Sequence, residues 1–236
     1  MSDKRKVLLI VNPCAGRNKS RAGTFDIVDK FSGEDYEFDV KTTKCPGDAT
    51  EIVKNHIDDN DMVVCCGGDG TLNETINGVM QLSKRVPVGY IPAGSTNDLV
   101  ATLGIPTGNI GKATDMIIDG HTNGYDIGLF NNRYYSYVAS FGAFTKASYA
   151  TPQNIKNALG HLAYILEGIM DIPQIKPLHL SIEANGETFE GDYLFGAVSN
   201  STSLGGVLTL DPGIVDMNDG VFEIMLIKSP VNITEL

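Results

Sequence analysis

The feature that most constrains this chain is a glycine-rich turn between an apolar strand-like segment, residues 62–65, and an amphipathic helix. The turn and the first residues of the helix read Cys66-Gly67-Gly68-Asp69-Gly70-Thr71-Leu72-Asn73-Glu74. Glycines let backbone N–H groups approach a ligand closely, and the positive end of the helix dipole favours phosphate. Asp69 lies inside this turn, where its carboxylate would repel a phosphate unless a metal ion lay between them. The run therefore predicts a site for a metal–nucleotide complex.

The first half of the chain alternates short apolar runs with helical patterns. Strands are predicted at residues 7–11, 36–42, 62–66 and 86–91. Helices are predicted at residues 24–31, at 49–57 with Asp48 as the N-cap, after Gly70, and at 95–103. Strands interleaved with helices indicate a parallel sheet with helices on both faces. Ligands of such sheets bind at the carboxyl ends of the strands, where the glycine-rich turn lies.

After about residue 120 the pattern changes to short strands connected by tight turns. Strands are predicted at 126–130, 134–139, 178–183, 188–190, 193–198 and 221–227, with turn pairs at Asn131-Asn132 and Asn185-Gly186. A helix is predicted from the spacing of Ile155, Leu159, Leu162, Leu166 and Ile169. We therefore predict two domains, an α/β domain at residues 1–123 and a mainly antiparallel β domain at residues 124–236.

The composition narrows the functional classes. The chain has 236 residues, 42% of them apolar, and a formal net charge of −11, which argues against nucleic acid as a partner. The cysteines lack the paired spacing of a zinc site or a secreted disulfide framework. The polar N-terminus is unlike a signal peptide, and no apolar segment reaches the roughly 18 residues that span a bilayer. We therefore expect a cytoplasmic protein with reduced thiols.

Two further loops follow predicted strands and carry glycine. The first is Asn12-Pro13-Cys14-Ala15-Gly16, and the second is Pro92-Ala93-Gly94-Ser95-Thr96-Asn97-Asp98. The first alone is typical of an ordinary turn. In the second, a hydroxyl of Ser95 or Thr96 could either cap the helix or reach a phosphate oxygen. Three such loops at one edge of a sheet favour phosphate binding.

Other phosphate-binding and catalytic motifs are absent from the sequence. Gly108-Asn109-Ile110-Gly111-Lys112 resembles a Walker A loop, but its glycines are too close together and no serine or threonine directly follows the lysine. The chain has neither a G-x-G-x-x-G fingerprint nor a G-x-S-x-G nucleophile elbow, and its histidines are scattered. The site must therefore work without a Walker lysine and without a histidine base.

The three loops together resemble the diacylglycerol kinase catalytic-domain family, and within it the soluble bacterial lipid kinases. The resemblance extends from about residue 6 to the C-terminus. The Gly-Asp-Gly core alone is shared, in related forms, with NAD kinases and 6-phosphofructokinases. The third loop and its continuation through residues 99–106 distinguish the lipid-kinase pattern.

The resemblance implies a doubly wound α/β domain like that of NAD kinases and phosphofructokinases, followed by a β-sandwich domain, with the active site in the cleft between them. It also implies transfer of a phosphoryl group from ATP to a lipid hydroxyl. Carried over by motif, the nucleotide contacts are Asn12, Pro13, Cys14, Ala15, Gly16, Thr43, Gly67, Gly68, Asp69, Gly70, Thr71, Leu72, Asn73 and Ser95.

Two places are expected to bind Mg²⁺. Asp69 is assigned as the catalytic carboxylate that organises the ion at the phosphates, directly or through water. Glu74 either supports Asp69 or a ribose, or is a solvated helix residue. The acidic turn at residues 211–221 is typical of an ordinary hairpin. The resemblance implies a structural Mg²⁺ there, bound by the side chain of Asp219 and by main-chain oxygens of Asp216 and Val221.

Family members usually continue into a returning segment that brings a carboxylate, thought to be the general base, into the cleft. This chain ends at Leu236 without an equivalent. We expect a truncated second domain, because residues 221–226 would otherwise leave an unpaired sheet edge. The alternatives are a kinase that uses another group and an inactive protein.

The leading hypothesis is an ATP- and Mg²⁺-dependent kinase that acts on diacylglycerol or a related lipid alcohol. The alternatives are an NAD kinase, and a nucleotide- or lipid-binding module without turnover. We expect a lipid alcohol as substrate, peripheral contact with a membrane during turnover, and no nucleic acid partner. A homodimer is one option for the assembly.

Overall fold

A computed structural model describes residues 4–33, 35–95, 97–142, 176–204, 208–209, 211 and 213–229. These residues belong to two compact units, Met1–Ser136 and Tyr137–Leu236. The sequence predicted that the second domain begins at residue 124, whereas the second compact unit begins at Tyr137, 13 residues later. Where the functional domains divide stays a prediction.

A parallel sheet forms the centre of the first unit. Its strands are β1 (Arg5–Val11), β2 (Tyr36–Thr42), β3 (Met62–Gly67) and β4 (Val88–Pro92), in the order β2-β1-β3-β4. Val11 pairs with both Thr42 and Cys66, and Gly67 pairs with Pro92, so the strands end at a common edge. The order reverses between β1 and β3, and such a switch point is where doubly wound sheets bind their ligands.

Helices cover both faces of this sheet because the side chains of β1 alternate between two cores. The described α-helices of this unit are α1 (Lys19–Ser32), α2 (Asp48–His56), α3 (Asp69–Met80), α4 (Asp98–Leu103) and α5 (Ile110–Ile118). Val7, Leu9 and Val11 pack with α1 and α5. Leu8 and Ile10 pack with α2 and α3 on the opposite face. The predicted doubly wound α/β class is therefore confirmed.

Two local predictions in this unit are wrong. Helix α2 begins at Asp48, whose carboxylate accepts hydrogen bonds from the preceding amides of Lys44 and Cys45 and does not cap the helix. Helix α4 begins at Asp98, three residues later than expected, because Asn97 takes a left-handed conformation with φ 54°. The segment at residues 108–112, which the sequence analysis excluded as a Walker loop, leads into helix α5 with Asn109 as its N-cap.

A short hairpin is the last element of the first unit. Its strands β5 (Gly128–Phe130) and β6 (Arg133–Tyr135) are antiparallel, and Asn131 in the turn has a positive φ of 54°. The sequence predicted one strand at 134–139, but the chain leaves β6 at Tyr135 and starts a new strand at Val138.

The second unit contains an antiparallel sheet built around one long strand. The remaining strands are β7 (Val138–Gly142), β8 (Leu178–Ala184), β9 (Glu187–Ser199), β10 (Ser203–Leu204), β11 (Leu208–Thr209) and β12 (Glu223–Lys228). Strand β9 pairs with β8 along its first half, and with β7 and β12 along its second half. It therefore replaces the two strands predicted at 188–190 and 193–198. The helix predicted at 155–169 lies outside the described residues.

None of the helices in the described ranges is both long enough and apolar enough to cross a membrane.

Candidate nucleotide-binding site

The loop after β1 is tied to the loop after β3 through Asn12. The backbone N–H of Asn12 donates to Cys66 O at 2.9 Å, which continues the pairing of the two strands. The side-chain Nδ2 donates to Thr71 Oγ1 at 2.9 Å, and Oδ1 accepts from the amide of Cys14 at 3.0 Å. One side chain therefore shapes its own loop and fastens it to the start of α3.

The glycine-rich loop is packed tightly at its first two glycines and open at the third. A Cβ atom at Gly67 would lie 2.7 Å from the side chain of Thr71, and one at Gly68 would lie 3.2 Å from Gly94 Cα. A Cβ atom at Gly70 would meet no atom within 4 Å. The first two glycines are needed for packing, whereas Gly70 leaves open space at the start of α3.

Backbone donors lie at the N-terminus of α3, where Gly70 is located. Gly68 is the N-cap in an extended conformation, and Leu72 N donates to its carbonyl at 3.0 Å. Helix geometry leaves the preceding amides without a carbonyl partner inside the helix. The amides of Gly70 and Thr71, together with the helix dipole, are therefore suited to an anion.

The loop after β4 closes onto the same glycine loop. The amides of Ala93 and Gly94 donate to Gly67 O at 2.8 and 3.2 Å. Asn97 folds back on Gly94, with Oδ1 accepting from Gly94 N and Nδ2 donating to Gly94 O, both at 2.9 Å. The structure thus brings all three glycine-bearing loops of the sequence analysis together at one sheet edge.

The carboxylate of Asp69 lies where the second and third of these loops meet. Burial raises the pKa of Asp69, and backbone hydrogen bonds from Asp98, Leu99, Asn97 and Asp69 itself act in the opposite direction. Its Oδ1 atom is buried and has no hydrogen-bond partner. An orphaned carboxylate oxygen, held in place by neighbouring amides, is a donor atom that suits a hard divalent cation.

The remaining predicted nucleotide contacts lie around this edge. Thr43 follows β2, and its amide donates to Val11 O at 3.0 Å. Pro13 and Gly16 are half-buried, Cys14 is exposed, and Ala15 packs against the core. Ser95 is exposed in the third loop, and Thr96 lies outside the described residues.

Two predicted contacts in α3 have other partners as well. The side chain of Leu72 is buried, and its main-chain N–H donates to Gly68 O at 3.0 Å. Asn73 Oδ1 accepts from the amide of Ser136 at 3.1 Å and from its hydroxyl at 3.4 Å. Nucleotide binding by these residues stays a prediction.

Glu74 reaches the neighbouring helix. Its Oε2 atom accepts from the amide of Ala49 at 3.3 Å, and its carbonyl accepts from Thr50 Oγ1 at 2.8 Å. The carboxylate therefore stabilises the N-terminus of α2, a role that the sequence analysis did not consider. Because the two residues are 25 positions apart, no local pattern indicates this contact.

Tyr90 and Asn97 are site residues that the sequence analysis left without a role. Tyr90 is only 5% exposed within a strand of apolar residues, and its hydroxyl lies 3.1 Å from Asn97 Oδ1. A buried tyrosine needs a partner for its hydroxyl, which is a signal the sequence does offer. The sequence does not say which loop supplies that partner.

The acidic turn of the second unit is held by its own backbone. Asp216 Oδ1 accepts from Asn218 N at 3.1 Å, and Asp219 Oδ1 accepts from Val221 N at 2.9 Å. Asn200 also donates to the carbonyl of Met217 at 3.2 Å. No group of three or more His, Cys, Asp or Glu side chains suited to a metal occurs among the described residues. A site with one carboxylate and two main-chain oxygens would not form such a group, so Asp216, Asp219 and Val221 stay a prediction.

A sequence profile of the diacylglycerol kinase catalytic domain matches residues 6–130, which carry all three loops. The chain belongs to this family. A diacylglycerol kinase of Bacillus subtilis (strain 168) is 36% identical over 225 residues, covering 95% of this chain and 74% of the relative. A diacylglycerol kinase of Staphylococcus aureus (strain MRSA252) is 35% identical over 234 residues, covering 99% and 73%.

Crystal structures agree with this membership in the diacylglycerol kinase family. A diacylglycerol kinase from Bacillus anthracis (strain Sterne) superimposes with a TM-score of 0.78 at 29% identity, covering 97% of this chain and 75% of that chain. Another crystal structure from that strain reaches a TM-score of 0.82 at 30% identity, with the same coverage of both chains. The predicted family, the predicted fold class and the prediction of an ATP-dependent lipid kinase are therefore confirmed at the level of the family.

Proposed function

We propose that this chain transfers the γ-phosphoryl group of ATP to the hydroxyl of diacylglycerol or a closely related lipid alcohol. The observation that carries the proposal is the joining of three loops around the start of α3 by Asn12, Gly67 and Gly94. Phosphoryl transfer depends mainly on positioning and on neutralising charge. A rigid edge lined with amides and glycines supplies the positioning.

The donor's phosphates would bind at the open side of the glycine loop. The amides of Gly70 and Thr71 would donate to phosphate oxygens, while the absence of a side chain at Gly70 admits them. The loops after β1 and β4 flank this position, so Asn12 to Gly16 and Ser95 would contact the nucleotide from either side.

Asp69 is the residue that would hold Mg²⁺ at the phosphates, directly or through water. The buried and unpartnered Oδ1 atom supports this assignment, because Mg²⁺ prefers oxygen ligands. When bound, Mg²⁺ would offset the negative charge that develops on the transferred group. The amides around Asn97 keep the carboxylate of Asp69 oriented without the ion.

The substrate class sets the surroundings in which the kinase would work. A diacylglycerol-like acceptor resides in a bilayer, so we propose peripheral contact with a membrane surface from the cytoplasm. The second Mg²⁺ at Asp216, Asp219 and Val221 belongs to the same proposal, and a homodimer is one option for the assembly. Binding of calorimetrically titrated Mg²⁺ that is lost in Asp219→Ala, with Asp211→Ala as the control, would support the second ion.

Incubation with labelled ATP, Mg²⁺ and mixed micelles tests the proposed reaction directly. The micelles contain diacylglycerol, ceramide or phosphatidylglycerol in separate reactions, and a parallel reaction contains NAD without lipid. We expect a labelled lipid with diacylglycerol or a related alcohol, and none with Asp69→Asn. Unlabelled lipid together with a labelled NAD product would identify an NAD kinase and overturn the proposal. ATP binding in a calorimeter without any transfer would instead identify a binding module.

A further inference from the structure

The hydroxyl of Tyr90 reaches two of the three loops at once. Tyr90 lies in β4 and is 5% exposed, so its hydroxyl is enclosed by protein. The Oη atom lies 3.1 Å from Asn97 Oδ1 in the third loop and 3.4 Å from Gly67 O in the glycine loop. The neighbouring buried positions of the strand are apolar, so this hydroxyl is a buried polar group in an apolar strand. Such a group needs specific hydrogen-bond partners.

The side chain of Asn97 also fixes the conformation of the third loop. Its side-chain amide accepts from Gly94 N and donates to Gly94 O, which closes a ring of hydrogen bonds. This ring encloses the turn at residues 94–97, called the Gly94 corner below. The backbone of Asn97 is left-handed, with φ 54° and ψ 56°, a conformation that asparagine tolerates better than most residues. The amides of residues 97–99 then point toward the carboxylate of Asp69.

The Gly94 corner fits against the glycine loop with no room to spare. A Cβ atom at Gly94 would lie 2.6 Å from Gly68 Cα and 2.6 Å from Asn97 Oδ1. The contact with Gly68 is between backbones, so it has no flexible side chain that could move aside. A small displacement of the third loop would therefore change the position of the glycine loop.

We propose that Tyr90 is a positioning residue for the nucleotide site. Its single hydroxyl proton is shared between two acceptors, Asn97 Oδ1 and the more distant Gly67 O, and so sets the spacing of the two phosphate-binding loops. Tyr90 acts through Asn97 and Gly94 and does not itself contact the nucleotide. Removing the hydroxyl leaves the aromatic ring in the core but releases the corner from the glycine loop. The affinity for ATP falls, while the KM for the lipid is unchanged.

Tyr90→Phe tests this role, with Tyr36→Phe as the matched control. Tyr36 pairs with Arg5 at the amino end of β2, at the opposite edge of the same sheet, and packs edge-on against Phe31. We expect Tyr90→Phe to raise the KM for ATP about three- to tenfold, the value of one hydrogen bond. The KM for the lipid stays within twofold of the unsubstituted protein. A parallel titration with a non-hydrolysable ATP analogue in a calorimeter should show the same loss of affinity.

A second pair of variants approaches the same contact from the other side. Gly94→Ala places a methyl group against Gly68 Cα and should raise the KM for ATP more than Tyr90→Phe does. Gly33→Ala is its control, since a Cβ atom there has Lys30 O as its nearest neighbour at 3.6 Å. If Gly94→Ala fails to fold, the tyrosine pair alone decides.

The outcomes separate this inference from the proposed function, on which it rests. If Tyr90→Phe and Tyr36→Phe have the same KM for ATP, or if Tyr90→Phe only lowers the melting temperature, the positioning role is overturned while the kinase remains. If the unsubstituted protein phosphorylates no lipid but Tyr90→Phe still weakens the binding of the analogue, the kinase proposal fails and the positioning role stands.

Discussion

The side-chain amide of Asn12 donates a hydrogen bond of 2.9 Å to the hydroxyl of Thr71, across 59 residues of sequence. It joins the loop after β1 to the start of α3 at the point where the strand order of the sheet reverses. Gly67 makes the contact possible, because any side chain there would collide with Thr71. The bond therefore fixes the relative position of two loops that the proposed nucleotide would contact together.

Thr71→Val should weaken ATP binding without changing the fold. Valine keeps the shape of threonine but offers Asn12 no acceptor, so we expect the dissociation constant for ATP to rise about three- to tenfold. Thr114→Val is the matched control, because Thr114 is buried and its hydroxyl donates only to Ile110 O within α5. Calorimetry on the single variants and on the double variant with Asn12→Ala measures the coupling. Additive effects of the two substitutions would show that this bond does not couple the loops.

Asp69→Asn should separate catalysis from stability. We expect kcat to fall at least about 100-fold, because the neutral amide holds a divalent cation poorly. Burial raises the pKa of Asp69 in the native protein, so the native state binds this proton more tightly than the unfolded state. The cost of the buried charge is fully present above the native pKa, shrinks as the pH falls below it, and is gone below the pKa of the unfolded state.

Urea unfolding in EDTA, without nucleotide, measures the second effect. Asp69→Asn should be more stable than the unsubstituted protein near neutral pH, and the difference should shrink as the pH is lowered through the native pKa of Asp69. A difference that stays constant with pH would show that the charge of Asp69 does not destabilise the fold.

The sheet and its loops were predictable because their signals are local. Residues 7–11 and 62–66 are continuous apolar runs, as parallel strands buried on both faces require, and each ends at a glycine-bearing turn. The helices between successive strands indicate that the strands run parallel. The convergence of the loops then follows from the shared carboxyl edge.

What the sequence does not reveal depends on contacts between distant segments. Asn97 adopts its left-handed conformation because its side chain is held by Gly94 and Tyr90, and this delays the start of α4. Glu74 reads as a surface glutamate until α2 lies beside it. The sequence excluded a Walker loop at residues 108–112 but did not show that this segment starts α5, whose N-cap is Asn109.

Gly70→Ala should weaken ATP binding while leaving the protein folded. A methyl group there meets no protein atom within 4 Å, so it enters the open space where a phosphate would approach the helix. We expect at least about a tenfold loss of affinity for ATP, together with a slight gain in stability from replacing a glycine in a helix. Gly33→Ala serves as the control for the general effect of the substitution. Unchanged ATP affinity in Gly70→Ala would place the phosphates elsewhere.

The cysteines should divide into two reactive and two protected thiols in the native protein. Cys14 and Cys45 are exposed, whereas burial raises the pKa of Cys65 and of Cys66 to about 12. A hydrogen bond to Asp48 also raises the pKa of Cys45, so Cys14 should react first. Titration with an aromatic disulfide reagent at mildly alkaline pH should release two equivalents in buffer and four in urea. Cys14→Ser should remove the faster of the two reactions seen in buffer. Rapid release of all four equivalents without urea would contradict the buried assignment.

Asn77→Ala should destabilise the first unit without altering the nucleotide site. Asn77 is buried in α3 and pairs with both backbone groups of one hairpin residue, as a neighbouring strand would: Nδ2 donates to Tyr134 O at 2.7 Å, and Oδ1 accepts from Tyr134 N at 3.0 Å. Alanine leaves both groups unsatisfied, which should lower the free energy of unfolding by about 1–3 kcal/mol.

Asn132→Ala, in the exposed turn of the same hairpin, is the control and should change the free energy of unfolding by less than about 0.5 kcal/mol. Urea unfolding gives both values, and calorimetry should find the ATP affinity of folded Asn77→Ala within twofold of the unsubstituted protein. Equal stability of the two variants would mean that the hairpin does not depend on this pairing.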